Sequence, residues 1–198
     1  MKEYVQNIAP GIFLQELLSK PGTVGAVCPS SRFLAASMAQ EVPQDEEGLV
    51  IELGAGTGVV TQALLNHGVD PSDLLVIEYS AVFVQRLRQR FKNLNIVHGN
   101  AADLCQLVPA GRKVRCIVSS LPLCSLPRTV TQAILQQWLT LLQPGNVAIQ
   151  FTYHLREPEW SKNLAMLRTN SKIVWANFPP ANVSTYSVEQ TQEATLGR

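Results

Sequence analysis

Residues 50–58 read Val-Ile-Glu-Leu-Gly-Ala-Gly-Thr-Gly, an apolar run that leads into three alternating glycines. This pattern predicts a buried strand, a tight turn and then a helix, with bare backbone at the turn for a ligand to approach. The dinucleotide-binding pattern would need its third glycine where Val59 stands, so the spacing argues against NAD. Glu52, just ahead of the glycines, favours a ligand-binding turn over an ordinary one.

Beyond this turn, short aliphatic runs alternate with longer segments of helical period, which is typical of βαβ units and a parallel sheet. A final pair of strands is predicted at 172–176 and 183–188, after a helix at 160–168. The other predicted strands are 49–53, 74–77, 95–97, 116–119 and 147–151, and the other predicted helices after the first strand are 59–66, 81–92 and 129–142.

Composition limits the classes of function. The 198 residues are 46% hydrophobic and 16% charged, which predicts one folded domain over 1–198. A net charge of +1 gives no overall positive electrostatic field of the kind that attracts nucleic acids to a whole protein surface. The four cysteines form no CxxC pair, so we expect neither a zinc site nor disulfides, and a reducing, cytoplasmic compartment. No apolar run approaches the about 20 residues that span a bilayer, and no export signal is recognised, so we expect neither an exported nor an integral membrane protein.

Residues 1–48 precede the first strand and contain two predicted helices, 12–19 and 31–41. The first would place Ile12, Phe13, Leu17 and Leu18 beside Lys20, giving an apolar face with a cationic end. Such a helix attaches to a membrane surface or closes as a lid over a bound cofactor, and the sequence leaves both open.

Residues 52–58 resemble motif I of the class I S-adenosylmethionine-dependent methyltransferases. The resemblance implies a Rossmann-like α/β fold with a mostly parallel seven-stranded sheet, helices on both faces and a C-terminal antiparallel strand pair. It implies that Glu52 helps to hold the amino group of S-adenosylmethionine, that Glu78 accepts the ribose hydroxyls, and that S-adenosylhomocysteine is the product. Asn100 stands where the family usually has an adenine-binding Asp. The predicted cofactor-binding residues are Glu52, Gly54, Ala55, Gly56, Thr57, Gly58, Glu78, Tyr79, Asn100, Ala101 and Ser119.

The segment after the fourth predicted strand bears on the substrate. Methyltransferases that act on adenine place an Asn or Asp where this chain has Ser120, and an aromatic ring where it has Leu123. Without that acceptor and that stacking ring, an RNA or DNA adenine substrate is disfavoured. An RNA adenine N-methyltransferase of the rRNA dimethylase type remains an alternative, as does a cofactor-binding protein without catalysis.

Residues 20–32, 119–123, 150–153 and 174–181 resemble the bacterial phospholipid N-methyltransferases. The resemblance implies a peripheral membrane enzyme at the cytoplasmic face that methylates phosphatidylethanolamine towards phosphatidylcholine. Ornithine-lipid N-methyltransferases are similar, so the identity of the amine stays open, as does the oligomeric state.

The predicted catalytic and substrate-binding residues lie around this segment and the end of the fifth strand. Tyr153 and Ser120 are candidates to hold the amine, and His154 is a candidate base. Leu123 is expected at the entrance, and Arg32 or Arg128 on the lipid phosphate. No metal ligands are predicted. The aromatic candidates for facing a methylated amine are Tyr153, Trp160, Trp175 and Phe178, with core packing favoured for Trp175.

Overall fold

The computed structural model describes residues 31–154, 156–162 and 165–188. Seven strands form one sheet in the order β3-β2-β1-β4-β5-β7-β6. Strands β1 to β5 are parallel, and β7 runs antiparallel to both of its neighbours, β5 and β6. The strands are β1 Leu49–Leu53, β2 Leu74–Glu78, β3 Asn95–His98, β4 Val114–Ser119, β5 Leu142–Thr152, β6 Met166–Val174 and β7 Ala181–Val188. The Rossmann-like α/β fold, with its C-terminal antiparallel strands, is confirmed.

In the described residues, five α-helices cover the two faces of this sheet. The α-helices are α1 Arg32–Ala39, α2 Val59–Asn66, α3 Ala81–Arg90, α4 Leu104–Leu107 and α5 Arg128–Leu141. Two short 3₁₀ turns, Pro71–Asp73 and Ala101–Asp103, complete the connections. In the described part of the chain, no helix is long and apolar enough to cross a membrane.

Alternation along the strands produces two separate apolar cores. Ile51 and Leu53 of β1 point to the face covered by α4 and α5, where Trp138 is fully buried. Val50 of β1 points to the opposite face, which α1, α2 and α3 cover. A strand buried on both faces reads as a continuous apolar run, which is why 49–53 was recognisable from its sequence.

The predicted strands and helices from 49 to 151 are confirmed, with differences only at their ends. The helix predicted at 31–41 is α1, and the Ser31 hydroxyl caps it by accepting the N–H of Leu34 at 3.2 Å. The helix predicted at 12–19, and with it most of the proposed attachment segment, lies outside the described residues.

The helix predicted at 160–168 is wrong. Residues 160–162 are turns, and β6 begins at Met166. β6 is one of the two edge strands of the sheet, and most of its side chains face solvent, so its sequence lacks the apolar alternation of a half-buried strand.

Candidate active site

The predicted site residues gather at one edge of the sheet, where the parallel strands end. Strand β1 pairs with β2 on one side and with β4 on the other, so the chain order reverses beside β1. Crevices at such a reversal are where open α/β sheets bind ligands. The glycine turn leaves β1 at this edge, and the 119–123 segment leaves β4 next to it, since Leu53 and Ser119 are paired.

The three glycines of the turn have different roles. All have positive φ, at 73°, 54° and 81° for Gly54, Gly56 and Gly58. A Cβ at Gly54 would lie 2.8 Å from a Leu121 methyl group, and one at Gly58 would lie 2.6 Å from the Phe91 ring, so these two allow close packing. Among the described residues, a Cβ at Gly56 would meet nothing within 4 Å. Gly56 is therefore the position where bare backbone is open to a ligand.

Glu78 fixes this turn from the end of β2. Its buried carboxylate accepts the N–H of Gly56 at 2.9 Å and the N–H of Ser80 at 2.8 Å. Each oxygen keeps a further lone pair, so ribose hydroxyls remain compatible with this geometry. The ribose role stays a prediction, and the structure adds a second role, holding Gly56 in place.

Glu52 is a buried carboxylate without a well-formed hydrogen bond in the described part of the chain. Burial raises its pKa to about 8; the nearby Thr61 hydroxyl and N–H lower the pKa in part, and the negative charge of Glu78 raises it slightly. A buried carboxyl in this state favours the arrival of a cation, because an ammonium would stabilise its charged form.

Asn100 and Tyr79 lie at the ends of neighbouring strands on the same edge. The Asn100 side-chain oxygen accepts the N–H of Ala102 at 3.0 Å and so caps the 3₁₀ turn that contains Ala101. The carbonyl of Tyr79 lies 2.8 Å from Nε2 of His98. An adenine contact by Asn100 stays a prediction. The side-chain oxygen of Asn100 would have to accept both the adenine amino group and the N–H of Ala102.

The 119–123 segment is held by its own polar groups and by one residue that sequence reasoning did not select. Ser119 Oγ accepts the N–H of Leu121 at 3.3 Å, whereas the half-buried Ser120 has a hydroxyl without a partner in the described residues. The unselected residue is Gln150, whose Nε2 donates to the carbonyls of Leu121 at 3.0 Å and Phe151 at 2.6 Å. Its Oε1 is buried without a described partner. A polar residue inside the apolar strand β5 was the available signal.

Tyr153 and His154 follow directly after β5. The ring of Tyr153 packs edge-on against Phe151, with 5.6 Å between the ring centres. His154 is exposed, and its backbone N–H donates to Thr152 Oγ1 at 3.1 Å.

A groove of about 740 Å³ lies between α5, the 119–123 segment and the chain after β5. Leucines and the ring of Trp160 form its apolar part, Arg128 and Arg156 bring cationic groups to it, and the imidazole of His154 also lines it. The acidic residues there face other cations, with Glu157 3.8 Å from Arg168 and Glu159 3.3 Å from Lys162. No described residue pairs with Arg128 or Arg156. The apolar lining residues are Leu123, Leu126, Leu135, Leu139 and Trp160.

Arg32 does not line this groove. It begins α1, on the other side of the sheet edge, and its guanidinium lies 4.9 Å from the centre of the Phe33 ring. It lines a separate cavity of about 410 Å³ between α1 and α2. The structure therefore brings Leu123, His154 and Arg128 together and leaves Arg32 apart from them. Across the described ranges, no three His, Cys, Asp or Glu side chains gather as metal ligands would.

Residues 50–145 match the family model described as a methyltransferase domain. The chain carries a methyltransferase domain. This span begins in β1, contains the glycine turn, Glu78, Asn100 and the 119–123 segment, and ends inside β5. The chain is thus a methyltransferase whose predicted cofactor residues fall within the matched span.

One relative with a curated name is an ornithine lipid N-methyltransferase from Singulisphaera acidiphila. It is 26% identical over 179 residues, which cover 86% of this chain and 91% of the relative. Among solved structures, the N-methyltransferase NodS from Bradyrhizobium japonicum, in complex with S-adenosylhomocysteine, is similar with a TM-score of 0.68 and 14% identity over 91% of this chain and 99% of that one. Magnesium protoporphyrin IX methyltransferase from Synechocystis, with bound S-adenosylmethionine, has a TM-score of 0.67 and 10% identity over 93% and 99%. At these identities the structural likenesses concern the fold.

Proposed function

We propose that this methyltransferase transfers methyl groups from S-adenosylmethionine to the amine of a membrane lipid, with phosphatidylethanolamine as the first candidate and the cytoplasmic membrane face as the place. The observation that carries the proposal is the groove beside the 119–123 segment. An apolar lining suits acyl chains, and two guanidinium groups that pair with no described residue suit the anionic group of a lipid head.

The cofactor side of the edge fits S-adenosylmethionine. No described residue fills the space at the Gly56 backbone. Glu52 has a buried carboxyl group without a well-formed partner among the described residues, where an ammonium group would stabilise its charged form. Glu78 holds the turn and keeps lone pairs for hydroxyl groups. S-adenosylmethionine, when bound, supplies an electrophilic methyl group on a sulfonium.

The chain's own residues have to position an amine and let it lose a proton, since only the neutral amine has a lone pair for attack. The hydroxyl of Ser120 and Oε1 of Gln150, both next to Leu121, are acceptors that can hold an amine N–H. Tyr153 is the candidate to orient the amine from the end of β5. His154 lines the groove and is the candidate to take the proton to solvent.

An ornithine lipid is the second candidate substrate, and the relative from Singulisphaera acidiphila favours it. Such a lipid offers an amine and a carboxylate in place of a phosphate, and a guanidinium fork fits both anions. An adenine in RNA is disfavoured, because Leu123 provides no stacking ring and Ser120 stands in place of the Asn or Asp of adenine methyltransferases.

The test is the fate of labelled methyl groups. Purified protein is incubated with methyl-labelled S-adenosylmethionine and, in separate reactions, phosphatidylethanolamine vesicles, ornithine-lipid vesicles and total RNA. We expect label in the organic phase with phosphatidylethanolamine, and mass spectrometry then gives the number of methyl groups. Label with ornithine lipid alone would keep the lipid class and replace the head group, whereas label in RNA alone would overturn the proposal.

A further inference from the structure

The loop between β6 and β7, residues 175–180, lies at the same edge of the sheet as the candidate active site. Strand β7 runs antiparallel to β5, and Asn182 at its start pairs with Thr152 at the end of β5. The loop therefore extends past the carboxyl end of β5, next to Tyr153. We call this loop, together with Phe33 at the start of α1, the aromatic tip.

Two large rings of the aromatic tip face solvent. Trp175 is 71% exposed and Phe178 is 90% exposed, so the core packing expected for Trp175 is wrong, and neither ring lines the groove of the candidate active site. Residues 173–184 contain no charged side chain. Large exposed apolar groups in one uncharged stretch are typical of an interaction surface, because an isolated domain gains nothing from showing them to water.

The backbone that carries these rings is held in place by the residue between them. Asn177 is buried; its Nδ2 donates to the carbonyl of Pro179 at 2.7 Å, and its Oδ1 accepts the N–H of Ser31 at 3.2 Å. The second bond ties the loop to the start of α1, where Phe33 is 48% exposed beside Arg32. A surface held in this way loses little conformational freedom when it binds.

We propose that the aromatic tip is the surface by which this protein enters the headgroup region of a lipid bilayer. The inference rests on the proposed lipid substrate, because a bilayer beside Tyr153 would present the amine at the active edge. Trp and Phe rings insert at the level of the headgroups, and an adjacent Arg meets their phosphates. Arg32, which lies over the Phe33 ring, and the lack of acidic residues in the loop favour a lipid surface over a basic partner.

The first test is binding to vesicles of phosphatidylcholine with phosphatidylglycerol, followed by sedimentation. Trp175→Ser with Phe178→Ser should weaken partitioning by about tenfold per ring, the effect expected for keeping each ring in water. Leu167→Ser is the matched control, because Leu167 is 56% exposed on β6 but lies at the far end of the sheet, opposite Ser187. Equal losses in the control and the double variant, or no loss in either, would overturn the inference.

Tryptophan fluorescence localises the contact. Of the three tryptophans, Trp138 is fully buried, Trp160 is half-buried in the wall of the groove, and Trp175 is exposed. Trp160→Phe removes the ring that acyl chains in the groove could quench, and it serves as the reference protein. Lipids with brominated acyl chains should quench the emission of Trp160→Phe and leave that of Trp160→Phe with Trp175→Phe almost unchanged. Quenching that persists in the doubly substituted protein would contradict insertion at this tip.

Activity on two forms of lipid separates this inference from the proposed function. The double variant should lose activity on vesicles and keep it on phosphatidylethanolamine dispersed in detergent, where no bilayer has to be entered. Vesicle binding through the tip without methylation of any lipid would support the docking surface and contradict the function. Lipid methylation on vesicles that is unaffected by the double variant would support the proposed function and contradict the docking surface. A double variant that only converts a dimer to a monomer would assign the tip to a second copy of the chain and overturn the inference.

Discussion

The edge of the sheet that carries the candidate active site has two halves, a cofactor half around β1 and β2 and a substrate half around β5 and β7, and they differ in burial. Around β1 and β2, the polar groups are buried, and Glu78 is hydrogen-bonded to the turn that it supports. Around β5 and β7, arginines stand without described partners and aromatic rings face water. A cofactor of fixed shape is served by a rigid, buried site. A substrate that has to be drawn from another phase, as proposed here, is served by exposed apolar and cationic groups.

The largest effect is expected on the buried half, from Glu78→Ala. The variant leaves the N–H groups of Gly56 and Ser80 without an acceptor, which costs about 1–3 kcal/mol each in the free energy of unfolding. Affinity for S-adenosylhomocysteine should fall more than tenfold. Denaturant unfolding and calorimetric titration measure the two effects, and Glu78→Gln, which keeps one oxygen, should lose less. A folded variant with unchanged affinity would remove Glu78 from the site.

Glu52→Gln tests the cofactor half through the pH dependence of the protein's stability. The pKa of Glu52 is raised from 4.5 to about 8, so the folded state keeps a proton that the unfolded state releases between those values. Wild-type stability should therefore fall as pH rises through that window, and the variant, which does not titrate, should lack this fall. We expect the variant to melt at a higher temperature than the wild type at pH 8 and at the same temperature near pH 4.5. It should also bind S-adenosylhomocysteine more weakly. Melting temperatures of the wild type and the variant that change in parallel with pH would contradict the raised pKa of Glu52.

In the substrate half, Arg128→Gln with Arg156→Gln should raise the KM for lipid about tenfold or more. Charge-assisted bonds contribute about 1.5–3 kcal/mol each, and the exposure of both arginines reduces that contribution. The dissociation constant of S-adenosylhomocysteine should not change. Arg112→Gln is the control, since Arg112 is a surface arginine paired with Asp73 at 2.6 Å, away from the groove. An equal rise in KM for the control would mean that general surface charge, and not the groove, attracts the lipid.

The smallest effect is expected from Tyr153→Phe, between the cofactor half and the substrate half. Tyr153→Phe should lower kcat severalfold and leave cofactor affinity unchanged, because the hydroxyl is proposed to act on the amine. Rapid-quench measurements of a single turnover separate the chemical step from product release. A loss of cofactor affinity with kcat unchanged would move Tyr153 to the cofactor side.

Sequence was informative wherever local pattern and burial coincide. The bounds of β1 and α2 were predicted to the residue, since the apolar run, the glycines and the helical period that follow are all local. The bond from Gly56 to Glu78 joins residues 22 positions apart, so only the pairing of β1 with β2 reveals it.

The C-terminal region was harder because its environment is unusual. β6 is an exposed edge strand, and its composition carries no strand periodicity. Trp175 was expected in the core because large rings are usually buried, and the hydrogen bonds of Asn177 that hold the loop outward involve Ser31, 146 positions earlier. Gln150 was overlooked because its bonds to Leu121 follow from the register of β4 and β5.

The position of β7 has a consequence for how the chain assembles during synthesis. β7 is the last of the described strands to leave the ribosome, yet it lies inside the sheet, between β5 and β6. Until residues 181–188 emerge, β5 has an unpaired edge and β6 has no neighbour to join. The five parallel strands can pair earlier, so the cofactor half can form before β7 completes the substrate half. A nascent chain halted at residue 180 would expose a β5 edge to chaperones or to other chains.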